Sequence, residues 1–199
     1  MATKINFTEE SYVKFYKRVI NFRPDQFAKF WEDHCPDTRE EIQIYGKKVA
    51  IPRFQKLYGE FSYKYSGTVI YPDPVYPNLL KACMKIANKV YPQHKWNGAL
   101  VNFYSDGTQY IGAHSDDEKD LVNGAPILSF SFGGERIFRV KKKKTMLKDG
   151  IDKKDFITYD GSMIVIGGNL QKEYLHEVPK TAKKVDRRIN ITVRCFKPL

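Results

Sequence analysis

The sequence predicts an α+β fold, a small helical part followed by a β-sandwich or jelly roll that makes up most of the chain. Three observations predict it. Helical periodicity is confined to residues 8–91, and from there on short β-prone runs recur at 99–104, 127–132, 136–140, 156–159, 163–166, 173–178 and 189–196. The last run alternates strictly, with Ile189, Ile191, Val193 and Cys195 on one face and Arg188, Asn190, Thr192 and Arg194 on the other. Helices first and many short strands after is the order expected when helices pack against an antiparallel sheet.

Taken in order, residues 8–20 read as a helix. Thr8 suits the N-cap and Glu9 and Glu10 the first turn, and Tyr12, Phe15, Tyr16 and Val19 recur at helical spacing. A second short helix follows Pro24, with Phe27, Phe30 and Trp31 as core contacts on one face. Two β-prone runs around Gly46-Lys47 predict a hairpin over 42–51, with Tyr45, Lys47 and Lys48 at its tip and Pro52-Arg53 directly after. On spacing alone that tip reads as an exposed loop. Tyr63 and Tyr65 share a face ahead of Ser66-Gly67, and aromatics interleaved with lysines suit a surface that stacks bases. Residues 77–91 form the clearest helix, with Leu79, Leu80, Cys83, Ile86, Ala87 and Val90 inward and Lys81, Lys85 and Lys89 on a solvated face. The charge block Lys141 to Lys144 marks a strand end running into a loop that extends to Lys154.

At 199 residues, with no internal repeat and no low-complexity linker, the chain is expected to form one domain, 1–199, whose first 41 residues are its N-terminal helical region. Hydrophobic content of 42% with 14% aromatics is that of a globular protein. No apolar run is long enough to span a bilayer and no secretory h-region is present, so no membrane role is expected. Cys35, Cys83 and Cys195 are too scattered for a disulfide framework and predict free thiols in a reducing, intracellular compartment. A net charge of +11 and a pI near 9.4 point to a polyanionic partner, nucleic acid ahead of membrane.

The chemistry centres on Asn102-Phe103-Tyr104-Ser105-Asp106-Gly107 and the His114-Ser115-Asp116-Asp117-Glu118 segment after it. In extended chain His114 and Asp116 point to one side and can meet one cation. Among four histidines, His176 lies where a later strand can return beside them. Two histidines and a carboxylate form the facial triad of non-haem Fe(II) oxygenases, which leaves positions open for an oxidant and a cosubstrate. The polar face of 188–194 has the composition of an anion pocket, and Asn102 and Tyr104 repeat that pattern in miniature, so the converged faces would hold a dicarboxylate next to a ferrous ion. Arg188 and Arg194 are roughly 20 Å apart along a strand at ~3.3 Å per residue, so their roles must differ. A lone His-x-Asp or Arg-x5-Arg occurs by chance in many proteins; here order, facing and donor type agree.

Asn102-x-Tyr104-x-Asp106-Gly107, His114-x-Asp116-Asp117-Glu118, His176-x-x-Pro179 and Arg188-x-Asn190-x-Thr192-x-Arg194 together resemble the AlkB family of iron- and 2-oxoglutarate-dependent nucleic-acid dealkylases, with the DNA-repair branch most similar. Ile44-Tyr45-Gly46-Lys47, Pro52-Arg53, Tyr58-Gly59 and Gly124-Ala125-Pro126-Ile127 resemble the same branch, and the likeness runs from residue 42 to the C-terminus. The resemblance implies a double-stranded β-helix core with the N-terminal helices on its outer face and a β-hairpin nucleotide lid over about 42–70. It implies His114, Asp116 and His176 as iron ligands, and Asn102, Tyr104, Arg188, Asn190, Thr192 and Arg194 as the 2-oxoglutarate pocket, with Arg188 on the distal carboxylate. Asp117 and Glu118 match residues that read the damaged base, and Tyr63, Tyr65 and Ser66 the base-facing part of the lid. Tyr45, Lys47, Lys48, Arg53, Lys183 and Lys184 are the implied nucleic-acid contacts, Tyr45 as a wedge in the vacated base stack.

The implied activity is Fe(II)-, 2-oxoglutarate- and O2-dependent oxidative dealkylation of 1-methyladenine- or 3-methylcytosine-type lesions in DNA, releasing formaldehyde, succinate and CO2, by a monomer for which a nuclear location is plausible. The same chemistry on RNA or single strands, and a 2-oxoglutarate oxygenase of another substrate class, remain open at this point. Tyr45 stands where the family has Phe, the lid before Tyr63 is two residues shorter, and Thr181-Ala182 precede the basic loop where more arginine is expected. These departures bear on strand preference rather than on the chemistry.

Overall fold

The computed structural model describes residues 2–44, 46–60, 63–65, 68–144 and 149–197. Its strands in chain order are β1 (Ala2–Asn6), β2 (Ser11–Tyr16), β3 (Glu41–Ile44), β4 (Lys47–Ala50), β5 (Phe54–Gly59), β6 (Tyr63–Tyr65), β7 (Thr68–Ile70), β8 (Gly98–Tyr104), β9 (Ile111–His114), β10 (Ile127–Gly133), β11 (Arg136–Lys142), β12 (Lys153–Thr158), β13 (Ser162–Gly168), β14 (Tyr174–Val178) and β15 (Arg188–Arg194). The helices are α1 (Pro24–His34), α2 (Asn78–Val90) and the single turn α3 (Leu170–Glu173). A seven-stranded sheet of order β1-β2-β13-β10-β15-β8-β5 lies against a four-stranded sheet of order β12-β11-β14-β9, and every strand pairing in both is antiparallel. This is the predicted jelly roll, a double-stranded β-helix.

Period-2 alternation divides the large sheet into two faces with different tasks. Val101, Phe103, Leu128, Phe130, Phe132, Ile189, Ile191 and Val193 point outward and pack with Phe30 and Trp31 of α1 and Leu79, Leu80, Cys83 and Ala87 of α2. Each such buried aliphatic or aromatic side chain contributes about 1.5–3 kcal/mol, so this outer layer fixes the sheet. The inner face combines Ile127, Ile164 and Ile166 with Phe138, Val140, Phe156, Tyr174 and Val178 around a closed end, and it leaves a polar strip along β8, β10 and β15. All seven residues of β15 are buried, polar ones included. The polar face therefore lines an interior and does not meet water.

The expected helix over 8–20 is a correction, because residues 11–16 form β2, which pairs with β13 in register Phe15↔Ile164 and extends the large sheet. Tyr12, Phe15, Tyr16 and Val19 satisfy a helical spacing, but a helix would turn Val13 away from that face, and Val13 is 0% exposed. Alternation explains all of them: Val13 and Phe15 enter the inter-sheet core while Tyr16 packs on the helical side. The N-terminal region is thus two strands and one helix. α1 starts at Pro24 as predicted, where Gln26 Oε1 accepts from the Arg23 backbone N–H at 3.1 Å.

β3 and β4 form the predicted hairpin outside both large sheets, with Gly46 at φ +76° in its turn. Ile51 N–H donates to Glu40 O at 2.8 Å and closes its base. β6 and β7 pair as a second small ribbon. Among the described residues no helix is long and apolar enough to cross a membrane.

Candidate active site

β9 and β14 pair with His114 opposite His176, which brings the two imidazoles to a 4.3 Å centroid separation. The strand ends at His114, and Asp116 stands two residues beyond it. Its position is set from outside the strand: Gln171 Oε1, on α3, accepts from the Asp116 backbone N–H at 3.0 Å. Asp116 Oδ1 lies 3.5 Å from His114 Nε2, Oδ2 lies 4.0 Å from His176 Nε2, and one ligand atom from each residue falls within 4.8 Å of the others. His114 Nδ1 sits 2.8 Å from Gly112 O, so Nδ1–H donates there and Nε2 carries the free lone pair towards the cluster. Burial and the neighbouring His114 push His176 down to about 3, which leaves it neutral and able to ligate. Burial alone would raise Asp116; Arg194, His176 and His114 outweigh it and hold the carboxyl below the usual carboxylate range.

The triad opens into a pocket shared by Asn102, Tyr104, Ser129, Asn190, Thr192 and Arg194. Sheet register explains the convergence: Asn190 lies opposite Asn102 on β8, Arg188 opposite Tyr104, and Ser129 and Ser131 of β10 opposite Thr192 and Asn190. The two arginines differ as their spacing requires. Arg194 Nη2 donates to Asp116 Oδ2 at 2.8 Å. Arg188 lies over the Tyr104 ring at 5.2 Å and donates through Nη2 to Ser131 Oγ at 2.9 Å, while its Nε and Nη1 are buried with no hydrogen-bond partner among the described residues. Burial lowers Arg188 to about 10, so it is still a cation at neutral pH. A fully buried guanidinium with two open donors is costly unless an anion completes it.

Asp117 is exposed with Lys143 Nζ at 3.9 Å, whereas Glu118 turns inward, 3.8 Å from Arg194 Nη1. Lys47 and Lys48 are exposed on β4, and Lys183 and Lys184 are exposed between β14 and β15. Tyr63 and Tyr65 lie in β6; Tyr45 and Ser66 lie outside the described residues. Arg53 is a correction, because it is 4% exposed and donates to Asn102 Oδ1 at 2.6 Å and Gln55 Oε1 at 3.1 Å, so it belongs to the cavity wall and presents no charge to a surface.

Four contributors went unread in the sequence. Ser129 and Ser131 had a signal, since they alternate with Leu128, Phe130 and Phe132. Arg136 had one too: Phe138 and Val140 set the inward parity of β11 and Arg136 shares it. Its guanidinium, 3% exposed, donates to Asp106 O at 3.1 Å and to Gln109 O and Pro179 O at 2.8 Å each. It ties the turn after Tyr104 to the loop after His176, and it flanks the Tyr104 ring at 5.6 Å. Gln171 carried no local signal, because its role depends on α3 reaching Asp116.

Two imidazoles and a carboxylate at one end of a polar interior, with an uncompensated guanidinium at the other, define a site for a divalent metal and a small dicarboxylate. The 2OG-Fe(II) oxygenase superfamily matches this chain over residues 24–194. Similar proteins include DNA oxidative demethylase ALKBH2 of Arabidopsis thaliana, 32% identical over 90% of this chain and 65% of that protein, and its Homo sapiens namesake, 32% identical over 77% and 60%. Alpha-ketoglutarate-dependent dioxygenase alkB homolog 3 of Rattus norvegicus is 32% identical over 74% and 51%. The solved structure of OsALKBH1 superposes with a TM-score of 0.62 at 15% identity, covering 97% of this chain and 100% of that one, a likeness of fold. The chain belongs to the 2OG-Fe(II) oxygenase superfamily and, within it, to the AlkB family. It spans between half and two thirds of the length of these curated relatives. The class uses Fe(II), 2-oxoglutarate and O2, and the donors found here fit the metal and the keto acid.

Proposed function

We propose that this protein is an oxidative dealkylase of N-alkylated bases in DNA, of the 1-methyladenine and 3-methylcytosine type. The observation that carries the reading is the pair of unlike ends of one buried polar strip: His114, Asp116 and His176 beside Arg194 at one, Arg188 with open donors at the other. His114, Asp116 and His176 would hold the iron, and Arg188, Asn102 and Tyr104 the 2-oxoglutarate. Iron and 2-oxoglutarate, when bound, supply the activation of O2 that oxidises the carbon on the alkylated nitrogen, giving succinate and CO2, and formaldehyde when the group is methyl.

The chain's own residues do the rest. Arg194 pairs with Asp116 Oδ2 and keeps the carboxyl ionised. Asp117 and Glu118, which follow the ligand directly, favour a base made cationic by alkylation at a Watson–Crick nitrogen. Such a base pairs poorly, so turning it out of a duplex costs less of the few kcal/mol that flipping requires. Lys47, Lys48, Lys183 and Lys184 supply exposed charge for phosphates. We place the enzyme, acting as a monomer, in an intracellular reducing compartment that keeps iron ferrous and Cys35, Cys83 and Cys195 free.

The test is turnover with Fe(II), 2-oxoglutarate and O2 on matched methylated DNA and RNA oligonucleotides, single and duplex, with the bases and succinate read by mass spectrometry. Removal of the methyl group from DNA with matched succinate is expected. Succinate formation with every oligonucleotide left methylated would move the enzyme to another substrate class.

A further inference from the structure

The hairpin β3–β4 projects from the molecule, yet its root is built into the cavity wall. Its base is closed by Ile51 N–H on Glu40 O, and one residue later Pro52 O accepts from Tyr110 N–H at 3.1 Å, directly ahead of the strand that ends in His114. Ile51, Arg53 and Gln55 are buried at 2%, 4% and 3% exposure, whereas all four residues of β4 are exposed. From this root a chain of side chains runs inward: Gln55 Nε2–H donates to Glu40 Oε2, Arg53 Nη2–H to Gln55 Oε1, and Arg53 Nε–H to Asn102 Oδ1.

The chain decides what Asn102 can offer. With Oδ1 engaged by Arg53, its Nδ2 is the edge left to donate into the cavity. Asn190 is in the opposite state: its Nδ2 donates to Ser129 Oγ and Phe130 O, both at 2.8 Å, and its Oδ1 accepts from Thr192 Oγ1 at 3.3 Å. Of the two amides facing each other across β8 and β15, Asn102 is the ligand donor and Asn190 braces the wall.

We propose that the Glu40–Gln55–Arg53–Asn102 chain couples the β3–β4 hairpin to the cosubstrate pocket, so that nucleic acid held by the hairpin and 2-oxoglutarate held by Asn102 tighten each other's binding. Arg53 and Gln55 are positioning residues in this account. A hairpin drawn onto nucleic acid fixes Glu40 and the 51–53 root, which fixes Arg53 and hence the rotation of the Asn102 amide. A bound carboxylate fixes the same amide from the other side. Coupling of this kind is reciprocal by linkage, and typical values lie at about 5- to 150-fold. The inference rests on the nucleic-acid reading above.

The experiment measures the Kd of 2-oxoglutarate by calorimetry on the full chain with Mn(II) in place of iron, with and without a saturating single-stranded oligonucleotide carrying 1-methyladenine. The wild type is expected to bind 2-oxoglutarate at least about 5-fold more tightly with the oligonucleotide present. Glu40→Leu and Gln55→Leu are expected to bring that ratio to within twofold of one. Glu40→Gln, which keeps an acceptor for Gln55, is expected to preserve it. A merely structural role would lower thermal stability and leave the ratio in place. A ratio of one in the wild type, or an unchanged ratio in both leucine variants, overturns the coupling. If 2-oxoglutarate binds and no oligonucleotide does, the nucleic-acid reading fails and the coupling with it.

Discussion

The two ends of β15 carry the same residue in different electrostatic situations. Arg194 is buried against Asp116, and each charge offsets the other. Arg188 is buried equally deeply six residues earlier, but its neighbours are a tyrosine ring and a serine hydroxyl. Burying a guanidinium destabilises the chain on its own, so a fold that keeps one open has prepared a seat for an anion that arrives later. Burial alone therefore does not identify a binding residue. What identifies it is burial of a charge without a counter-charge: among the described residues Arg194 has the Asp116 carboxylate and Arg188 has none.

The largest test removes the metal end. Asp116→Ala and His176→Ala are expected to lower succinate formation by at least about 10³-fold while oligonucleotide binding stays within about threefold, because the metal supplies the redox chemistry. Turnover within tenfold of wild type would remove the iron assignment. Next is the anion end, where Arg188→Gln is expected to weaken 2-oxoglutarate binding by roughly 10- to 150-fold, from the loss of charged hydrogen bonds worth about 1.5–3 kcal/mol. A change below threefold would put the carboxylate elsewhere. Arg136→Ala, which strands three carbonyls, should lower stability by about 2–3 kcal/mol in chemical denaturation and slow turnover through the Tyr104 loop.

The pH dependence of the metal-free protein sharpens the same contrast. His176 titrates at about 3 when folded and near 6.5 when unfolded. Between those values the unfolded chain binds the extra proton, so stability is full above about 6.5 and falls as pH drops towards 3. Melting curves across that window should show the slope, and His176→Asn should reduce it. The smallest effect is at the surface: Lys183→Ala and Lys184→Ala should each reduce the salt slope of oligonucleotide binding by about 0.7–0.9 if the lysine meets a phosphate.

The site was more legible in the sequence than the elements around it. Strict alternation over 188–194, with guanidiniums, an amide and a hydroxyl on one face, predicts a polar interior, because a solvated face has no need of that donor set. His114, Asp116 and His176 were readable from residue type and order. Residues 11–16 were not, because aromatics fit both periods over so short a run and only the pairing with β13 decides between them. Arg53 was misassigned for a related reason. Following an exposed hairpin, it reads as surface charge, and what turns it inward is Asn102, a partner 49 residues away. Gln171 is equally remote from Asp116 in sequence. Local pattern reports which face a side chain takes, and long-range contact decides what that face meets.

Arg188 is a buried charge without a counter-charge, ready for a carboxylate, whereas Arg194 completes a pair already present. Thermal unfolding of the wild type, Arg188→Met and Arg194→Met, with Mn(II) and with or without 2-oxoglutarate, tests it directly. Arg194→Met is expected to lose about 3–5 kcal/mol, a fall in Tm of roughly 6–20 °C, because Asp116 is left buried and unpaired. Arg188→Met without 2-oxoglutarate is expected to match or exceed the wild type, and to gain nothing when 2-oxoglutarate is added. Equal destabilisation by the two substitutions, or a normal 2-oxoglutarate response in Arg188→Met, would contradict it.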